Sequence, residues 1–342
     1  MNSHAIITVG PLGFPWRTID PFLFCVHHDD AYPEGNEEMG PAATLSGRNL
    51  GQDFAGKDGW NMYHGMTVPG FPAHPHRGFE TVTIVRKGFI DHSDSLGATA
   101  RFGAGDTQWL TAGQGIVHAE MFPLRERERA NPLELFQIWL NLPARLKMVE
   151  PHFTMLWSEH MPRQHVTDDG GRSTEVVCIA GQYGASMPVP APPDSWASQA
   201  GADVAIWTIN MQSGARWKLP AAAGGITTRR QLYFFNGAEV TIDGQRVTAP
   251  AAIELAASSE VVVENGRDTS EFLLLQGKPI NEPVAQHGPF VMNTNAEIVQ
   301  AFADYRRTEF GGWPWRDQAP VLPRQQGRFA KHADGRTEAR DA

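Results

Sequence analysis

The sequence FPAHPHRGFETVTIVRKG, residues 71–88, contains the pattern from which the rest of the chain is best interpreted. Successive side chains of an extended strand point to opposite faces, so His74 and His76 would lie on one face with Cα atoms about 6.6 Å apart. Two imidazoles at that separation can bind one metal ion. The run after them is rich in Thr and Val and ends at Gly88, which predicts a strand near Thr81–Val85 followed by a turn.

A second stretch, GQGIVHAEM over residues 113–121, repeats this spacing. His118 and Glu120 are two residues apart and would share one strand face. The Glu120 carboxylate adds an oxygen donor to the three imidazoles. Nitrogen and oxygen donors with open coordination positions favour iron, manganese, nickel or copper over zinc, although such ligands accept several first-row divalent ions, zinc included.

The alternative to a metal site is a structural role for these histidines. Histidines on half-buried strands are usually satisfied by hydrogen bonds, so a single His-x-His pair is a weak indication of a metal. Two same-face pairs within 50 residues, each beside a glycine-rich turn, favour the metal site over that alternative.

The composition is that of a globular protein, with 41% hydrophobic and 20% charged residues, and 342 residues suffice for one large or two ordinary domains. The net charge of −9 disfavours a nucleic-acid partner, because phosphate neutralisation needs a concentrated positive surface. We expect a cytoplasmic protein without a membrane partner, since no stretch approaches a membrane span of about 18 apolar residues. Cys25 and Cys178 stand in no metal or redox spacing and are expected to be buried.

The distribution of glycine and proline, 34 and 25 residues, predicts an all-β protein, because these residues separate short runs rich in Val, Ile, Thr, Phe and Trp. In the first half the predicted strands lie near Thr81–Val85, Phe89–His92, Ala98–Phe102, Thr107–Leu110, Ile116–Met121 and Leu135–Asn141. Strands resume near residue 202 and are bounded by the tight-turn signals Asn236-Gly237, Asp243-Gly244 and Asn265-Gly266. Only His287 and His332 occur after residue 166, so the second half cannot assemble a three-histidine centre.

These patterns predict four regions along the chain. Residues 1–150 are predicted to form an N-terminal metal-binding domain, and residues 151–200 a linker with a proline-rich connection. Residues 201–316 are predicted to form a C-terminal domain of the same class without a metal site, and residues 317–342 a flexible tail. A capping box from Thr294 to Glu297, followed by Ile298, Phe302 and Tyr305 at helical spacing, predicts a short helix at the end of the C-terminal domain.

Several longer motifs are specific enough to indicate a family. They are HPHRGFETVT at 74–83, DHSDSLG at 91–97, GDTQWLTAGQGIVHAE at 105–120, WLNLP at 139–143 and GPFVMNT at 288–294. With these motifs the chain resembles the pirin family of the cupin superfamily. The resemblance implies two jelly-roll-like, β-barrel cupin domains facing each other, with an iron(II) centre in the N-terminal one.

The resemblance also implies a ligand set, namely His74, His76, His118 and Glu120. Generic cupins take their carboxylate ligand from the first motif and pirin-like proteins from the second, so Glu80 is expected to be a hydrogen-bonding strand carboxylate. The chain departs from many pirin-like proteins in its extra material around 160–200 and after residue 315, and in Ile84, where the family often has an aromatic residue.

Some bacterial pirin-like proteins are described as quercetin 2,3-dioxygenases, so the resemblance implies an enzyme acting on a small aromatic flavonol and O₂. Glu120 would be ligand and catalytic base, accepting the proton of the flavonol 3-hydroxyl before O₂ opens the ring and carbon monoxide is released. Phe79, Trp109 and Met121 would either line a flat pocket or, as strand residues more often do, belong to the core.

Two alternatives stay open at this point. Eukaryotic pirins are described as iron-dependent transcriptional co-regulators, so the chain would instead be a redox-responsive iron-binding regulatory protein with a protein partner and no turnover. The third reading is a metal-dependent enzyme acting on an unrelated small molecule, because cupins support many chemistries on one fold.

Overall fold

A computed structural model of the chain describes residues 5–340, and these residues are mostly β-strands. Strands β1 to β24 are, in chain order, Ile6–Gly10, Phe22–Asp30, Gly70–His76, Phe79–Lys87, Phe89–Asp94, Thr99–Gly103, Thr107–Thr111, Ile116–Met121, Leu133–Asn141, His152–Leu156, Arg163–Thr167, Ser173–Ala180, Ala205–Met211, Arg216–Leu219, Arg229–Asn236, Glu239–Ile242, Gln245–Thr248, Ala251–Leu255, Val261–Asn265, Ser270–Gly277, Ala285–His287, Phe290–Met292, Phe329–Lys331 and Thr337–Ala339. Within 5–340 the one α-helix, α1, is Asn295–Thr308, and short 3-10 helices cover Lys57–Gly59, Ala144–Leu146, Ser158–His160, Trp196–Ser198, Gly225–Thr227 and Glu309–Gly311. The predicted all-β class with a short C-terminal helix is confirmed.

The chain forms two compact units whose segments alternate along the sequence. The first unit comprises the residues up to Val26, Ile138–Pro143 and Glu159–Asn281, and the second comprises His27–Gln137, Ala144–Ser158 and the residues from Glu282 onward. This division differs from the predicted ranges in three ways. The residues up to Val26 and Ile138–Pro143, predicted in the N-terminal domain, belong to the first unit, where β1 pairs with β18. Strands β11 and β12, in the predicted linker, belong to a sheet of the first unit, and after Asn281 the chain returns to the second unit.

The first unit is built from two sheets that share one apolar core. A seven-stranded sheet has the order β1-β18-β15-β20-β13-β12-β11, and a four-stranded sheet has the order β14-β19-β16-β17. Trp207 and Phe272 from the larger sheet and Trp217 and Val263 from the smaller one are buried in this core. Alternate residues of each strand face inward, as expected for a β-sandwich or barrel.

The second unit has the same layered construction. Its five-stranded sheet has the order β10-β7-β4-β9-β2, to which β2 contributes from His27 onward and β9 up to Gln137. Its six-stranded sheet has the order β24-β23-β6-β5-β8-β3, and β21 pairs with β22. Val85 and Leu110 from the first of these sheets pack with Ile90 and Phe102 from the second. Strand β8 lies between β5 and β3, so its side chains on one face meet those of both neighbours.

Helix α1 belongs to the second unit and begins at the predicted capping box. The Thr294 side chain accepts from the backbone N of Glu297, and the Glu297 side chain accepts from the backbone N of Thr294. The helix buries Ile298 and Ala301 against Phe290. No helix among residues 5–340 is long and apolar enough to cross a membrane.

Where the sequence predicts a flexible tail over 317–342, the described residues form β23 and β24. Strand β23 pairs antiparallel with β6, with Ala330 opposite Ala100. The buried Arg101 also donates hydrogen bonds to four backbone carbonyl oxygens of this segment, those of Leu322, Pro323, Arg324 and Gln326, at 2.8 to 3.4 Å. Backbone pairing and one buried guanidinium therefore order a segment that has little apolar periodicity.

Lys147 is expected to make the stability of the second unit depend on pH. Its Nζ is buried and donates to the carbonyl oxygens of Gly78 at 2.9 Å and Val291 at 3.2 Å, and burial lowers the pKa of Lys147 to about 8. Between that pKa and the ordinary lysine pKa of about 10.4, the unfolded chain holds more protons than the folded one. Stability should therefore rise with pH across this window, by up to about 3 kcal/mol.

The expected result is that Lys147→Met removes this rise when the free energy of unfolding is measured from pH 7.5 to 10. The variant Lys57→Met is the matched control, because Lys57 is exposed and should keep the rise. A rise that persists unchanged in Lys147→Met would assign it to another group.

Candidate metal centre

The centre is positioned by the pairing of β3 with β8. The two strands are antiparallel, and His74 lies opposite His118. His76 follows His74 on the same face of β3, as the period of two requires. A register irregularity between Phe71 and His74 precedes this pair.

The three histidines form a compact group. Their ligand nitrogens all lie within 4.8 Å of one another, and among residues 5–340 this is the one group of three or more His, Cys, Asp or Glu with that property. The ring centroids are 4.5 Å apart for His74 and His118, 4.8 Å for His74 and His76, and 4.9 Å for His76 and His118. The pairing of β3 with β8 thus brings His118 to His74 and His76, although it is distant from them in sequence.

The hydrogen bonding of the imidazoles fits a metal ion. His118 is fully buried, yet within residues 5–340 neither of its ring nitrogens has a hydrogen-bond partner, which costs about 1–3 kcal/mol per orphaned group. His74 places Nδ1 2.8 Å from the Pro72 carbonyl oxygen, so Nδ1 carries the proton and Nε2 keeps its lone pair. A backbone carbonyl in this position is a common orienting partner of metal-bound histidine.

The protonation state of the group suits metal binding as well. Burial lowers the pKa of His74 to about 4. Burial also holds the pKa values of His76 and His118 well below the usual range, and the neighbouring histidines lower them further. The three rings are therefore neutral at physiological pH, which is the form that binds a metal.

Glu120, the fourth predicted ligand, is buried on β8 two residues after His118. It lies outside the group of three imidazoles, and its carboxylate has protein partners. The Thr83 hydroxyl is 3.0 Å from Oε1, and the Gln137 Nε2 donates to Oε2 at 3.4 Å. Burial raises the pKa of Glu120, while His92 and these hydrogen bonds oppose the rise. Its role as a ligand stays a prediction.

The hydrogen-bond network can accommodate one extra proton on Glu120. The Thr83 hydroxyl is close to two acceptors, Glu120 Oε1 and the Gln137 Oε1 at 2.6 Å, but it has a single proton to donate. If that proton goes to Gln137, the contact with Glu120 is a hydrogen bond only when Glu120 itself holds a proton. A proton on Glu120 Oε1 would give each of these two contacts its own donor.

Comparison with known proteins identifies the family. The pirin family model matches residues 12–140, and the pirin C-terminal cupin domain matches residues 206–311. The "Pirin-like protein" of Caulobacter vibrioides is 36% identical over 241 residues, which cover 70% of this chain and 80% of the relative. The chain belongs to the pirin family.

Two further relatives carry an enzyme name. The "Putative quercetin 2,3-dioxygenase" PA2418 of Pseudomonas aeruginosa is 35% identical to this pirin over 242 residues, covering 70% of this chain and 79% of the relative. A crystal structure of quercetin 2,3-dioxygenase from Acinetobacter baumannii matches with a TM-score of 0.67 at 26% identity, covering 85% of this chain and 86% of the other. The expected two-cupin architecture is confirmed by these matches.

The structure of this pirin also places residues to which the sequence assigned no role. His92 on β5 lies opposite Glu120, and its ring centroid is 5.6 Å from that of His118. Its Nε2 bonds Asp94 Oδ2 at 3.0 Å, and its ring stacks on Phe153. The i, i+2 spacing of His92 and Asp94 places both side chains on one face of a strand, and this spacing could have indicated that they interact. Thr83 and Gln137 carry no such signal.

Other predictions for individual residues are confirmed. Glu80 is a buried strand carboxylate that accepts from Trp109 Nε1 at 3.1 Å and from the Thr111 hydroxyl at 2.8 Å. Phe79, Trp109 and Met121 are buried core residues. These side chains fill the interior of the unit.

The residues after His76 anchor helix α1 and strand β22 of this pirin to the metal-binding strand β3. Arg77 donates to Asp304 on α1 at 2.9 Å, and to the Gln114 carbonyl oxygen at 2.6 Å. Gly78 has a φ of +85°, and a Cβ there would lie 2.0 Å from the Val291 carbonyl oxygen. Glycine at this position therefore allows β22 to approach the end of β3.

Proposed function

We propose that this pirin binds iron(II) through His74, His76, His118 and Glu120 and cleaves a flavonol such as quercetin with O₂. The observation that carries the proposal is the buried His118, whose two unpaired nitrogens lie beside two further neutral imidazoles. The enzyme names of the relatives supply the substrate class and reaction type. When bound, iron would supply a Lewis acid for the substrate oxygen and electrons for the chemistry of O₂.

The residues of the chain would control the proton. Glu120 is the candidate base for the 3-hydroxyl of the flavonol, because burial raises its pKa and so makes the carboxylate more basic. Proton transfer to Oε1 would allow Glu120 to donate to the Thr83 hydroxyl oxygen, which lies 3.0 Å away. Gln137 would hold the second oxygen and so fix the orientation of the carboxylate.

The test of this role is Glu120→Gln. The amide cannot accept the proton, so flavonol turnover should fall by about 10²- to 10⁴-fold, while the three histidines retain part of the metal. Turnover is measured as loss of quercetin absorbance, O₂ uptake and release of carbon monoxide, alongside metal analysis of the same samples.

The matched control is Glu80→Gln, which changes a buried carboxylate outside the three-histidine group. It should keep metal and turnover within a few-fold of the unaltered protein. Full turnover by Glu120→Gln would contradict its role as the base. If the unaltered protein bound stoichiometric iron but took up no O₂ with quercetin, the proposed enzymatic activity would be contradicted. This result would favour the redox-responsive regulatory protein.

A further inference from the structure

A surface cleft of about 370 Å³ lies on the second unit, between the turn that follows β4 and the loop that joins β8 to β9. We call it the Arg125 cleft. Phe89, Pro123 and Pro132 are among its apolar lining residues, and Arg125 is among its charged ones. None of these residues takes part in the three-histidine group. The cleft thus combines apolar walls with a cation, which is the composition of a site for an amphipathic anion.

The Arg125 side chain is held in place but keeps free donors. Its Nε donates to the Arg324 carbonyl oxygen at 3.1 Å, and its guanidinium carbon lies 4.6 Å from the centroid of the Phe89 ring. Within residues 5–340 its two Nη atoms have no hydrogen-bond partner. A guanidinium fixed in this way presents two adjacent N–H groups, the geometry that binds a carboxylate with two parallel hydrogen bonds.

The charges around Arg125 leave a local positive excess. Arg101 is neutralised by Asp91 at 2.6 Å, but the Arg324 guanidinium is bound only by backbone carbonyl oxygens among the described residues. The nearby Glu126 pairs with Arg129 at 3.1 Å. Lys87, another lining residue of the cleft, pairs with Glu134 at 2.7 Å.

Two guanidinium groups, those of Arg125 and Arg324, therefore lack a carboxylate partner among residues 5–340, in a chain whose net charge is −9. Burial and the Arg101 guanidinium lower the pKa of Arg125, Asp91 and Glu126 partly offset this effect, and Arg324 adds a smaller lowering. An anion in the cleft would relieve this repulsion.

We propose that the Arg125 cleft binds a small organic carboxylate with an aromatic or apolar body. The carboxylate pairs with the two Nη atoms of Arg125, and the body lies against Phe89, Pro123 and Pro132. Inorganic phosphate fits less well, because it would leave the apolar walls in water. This site is additional to the proposed flavonol dioxygenase and does not depend on it.

The experiment titrates the full-length protein with benzoate, benzamide and inorganic phosphate by calorimetry. Benzoate should bind saturably, and benzamide, which has the same shape but no charge, should bind at least tenfold more weakly. Arg125→Met should weaken benzoate binding at least tenfold. Arg127→Met is the matched control, because Arg127 lies in the same loop but outside the cleft lining, and it should bind benzoate normally.

A second variant keeps the test decisive if Arg125→Met fails to fold. Ala130 is an exposed residue of the lining, so Ala130→Trp should obstruct the cleft and weaken benzoate binding while leaving the hydrogen bond of Arg125 to Arg324 in place. Equal binding of benzoate and benzamide, tighter binding of phosphate, or benzoate binding unchanged by both variants would overturn the proposal. The last outcome would place benzoate at another site, such as the three-histidine group.

Discussion

Replacing His118 by leucine is expected to stabilise the metal-free protein and to abolish its stabilisation by iron. His118 is fully buried and, within residues 5–340, both of its nitrogens lack hydrogen-bond partners. Leucine has a similar volume and no polar atoms, so in the presence of a chelator the variant should be more stable by about 1–3 kcal/mol. Without a metal, the buried imidazole therefore lowers the free energy of unfolding, and a bound metal would remove this penalty.

Added iron should narrow the difference in stability between the two proteins and, at sufficient excess over its dissociation constant, reverse it. Iron at 100 times its dissociation constant should stabilise the unaltered protein by about 2.7 kcal/mol, since binding to the folded state alone shifts the unfolding equilibrium. The leucine variant should gain much less at the same iron concentration, because the loss of one ligand weakens iron binding. The measurement is the denaturation midpoint of both proteins under anaerobic conditions, with chelator and with iron(II), together with metal analysis.

The control is His152→Leu, since His152 is exposed on β10 and lies outside the three-histidine group. It should keep the full stabilisation by iron. If His118→Leu proved less stable than the unaltered protein in chelator, ordered water would be satisfying the imidazole in the metal-free state. If it gained as much stability from iron as the unaltered protein, His118 would not be a ligand.

The sequence predicted the secondary-structure elements that are determined by residues close together in the chain. Strand Ile116–Met121 has the predicted bounds, because its apolar residues and flanking glycines identify a strand without reference to the rest of the chain. The capping box at Thr294 and Glu297 is also local, and it was confirmed. The period of two placed His74 beside His76, and the register of β3 with β8 then brought His118 to them.

The surroundings of Glu120 could not be predicted in this way. Thr83 is 37 residues from Glu120 in sequence and Gln137 is 17, and both reach it from strands of the other sheet of the unit. Neither a threonine nor a glutamine on a strand signals such a role. Long-range side-chain hydrogen bonds are set by the tertiary structure, and a single sequence does not reveal them.

The ordered structure of residues 317–340 was not predicted, for a different reason. A flexible tail was predicted from low apolar content, which is a sound argument where burial of apolar area is the main source of order. Here the segment is held by backbone pairing of β23 with β6 and by hydrogen bonds to Arg101. Such contacts leave no periodicity in the sequence, because any residue supplies the backbone carbonyl.

Arg101→Leu is accordingly expected to destabilise the second unit by about 3–5 kcal/mol. Arg101 is fully buried and pairs through Nε and Nη2 with both oxygens of Asp91, each at 2.6 Å. Its loss leaves a buried carboxylate without a counter-ion and also removes the donors to the carbonyl oxygens of Leu322, Pro323 and Gln326. The measurement is the free energy of unfolding from a denaturant titration.

The tail should respond more strongly than the rest of the unit. Trypsin should cut the variant at Arg324 faster than the unaltered protein, because the backbone around this residue loses its hydrogen bonds to Arg101. Arg127→Leu is the matched control: its side chain forms an exposed pair with Glu37, so its stability should change by no more than about 0.5 kcal/mol.

The double variant Asp91→Leu/Arg101→Leu separates the two contributions of Arg101. Removing both charges leaves no buried ion, so this protein should be more stable than Arg101→Leu although it lacks one further hydrogen-bonding group. Tryptic cleavage at Arg324 should stay fast in it, since the carbonyl oxygens of the tail still have no donor. Recovery of stability together with slow cleavage would contradict the anchoring role and leave charge balance as the whole function of Arg101.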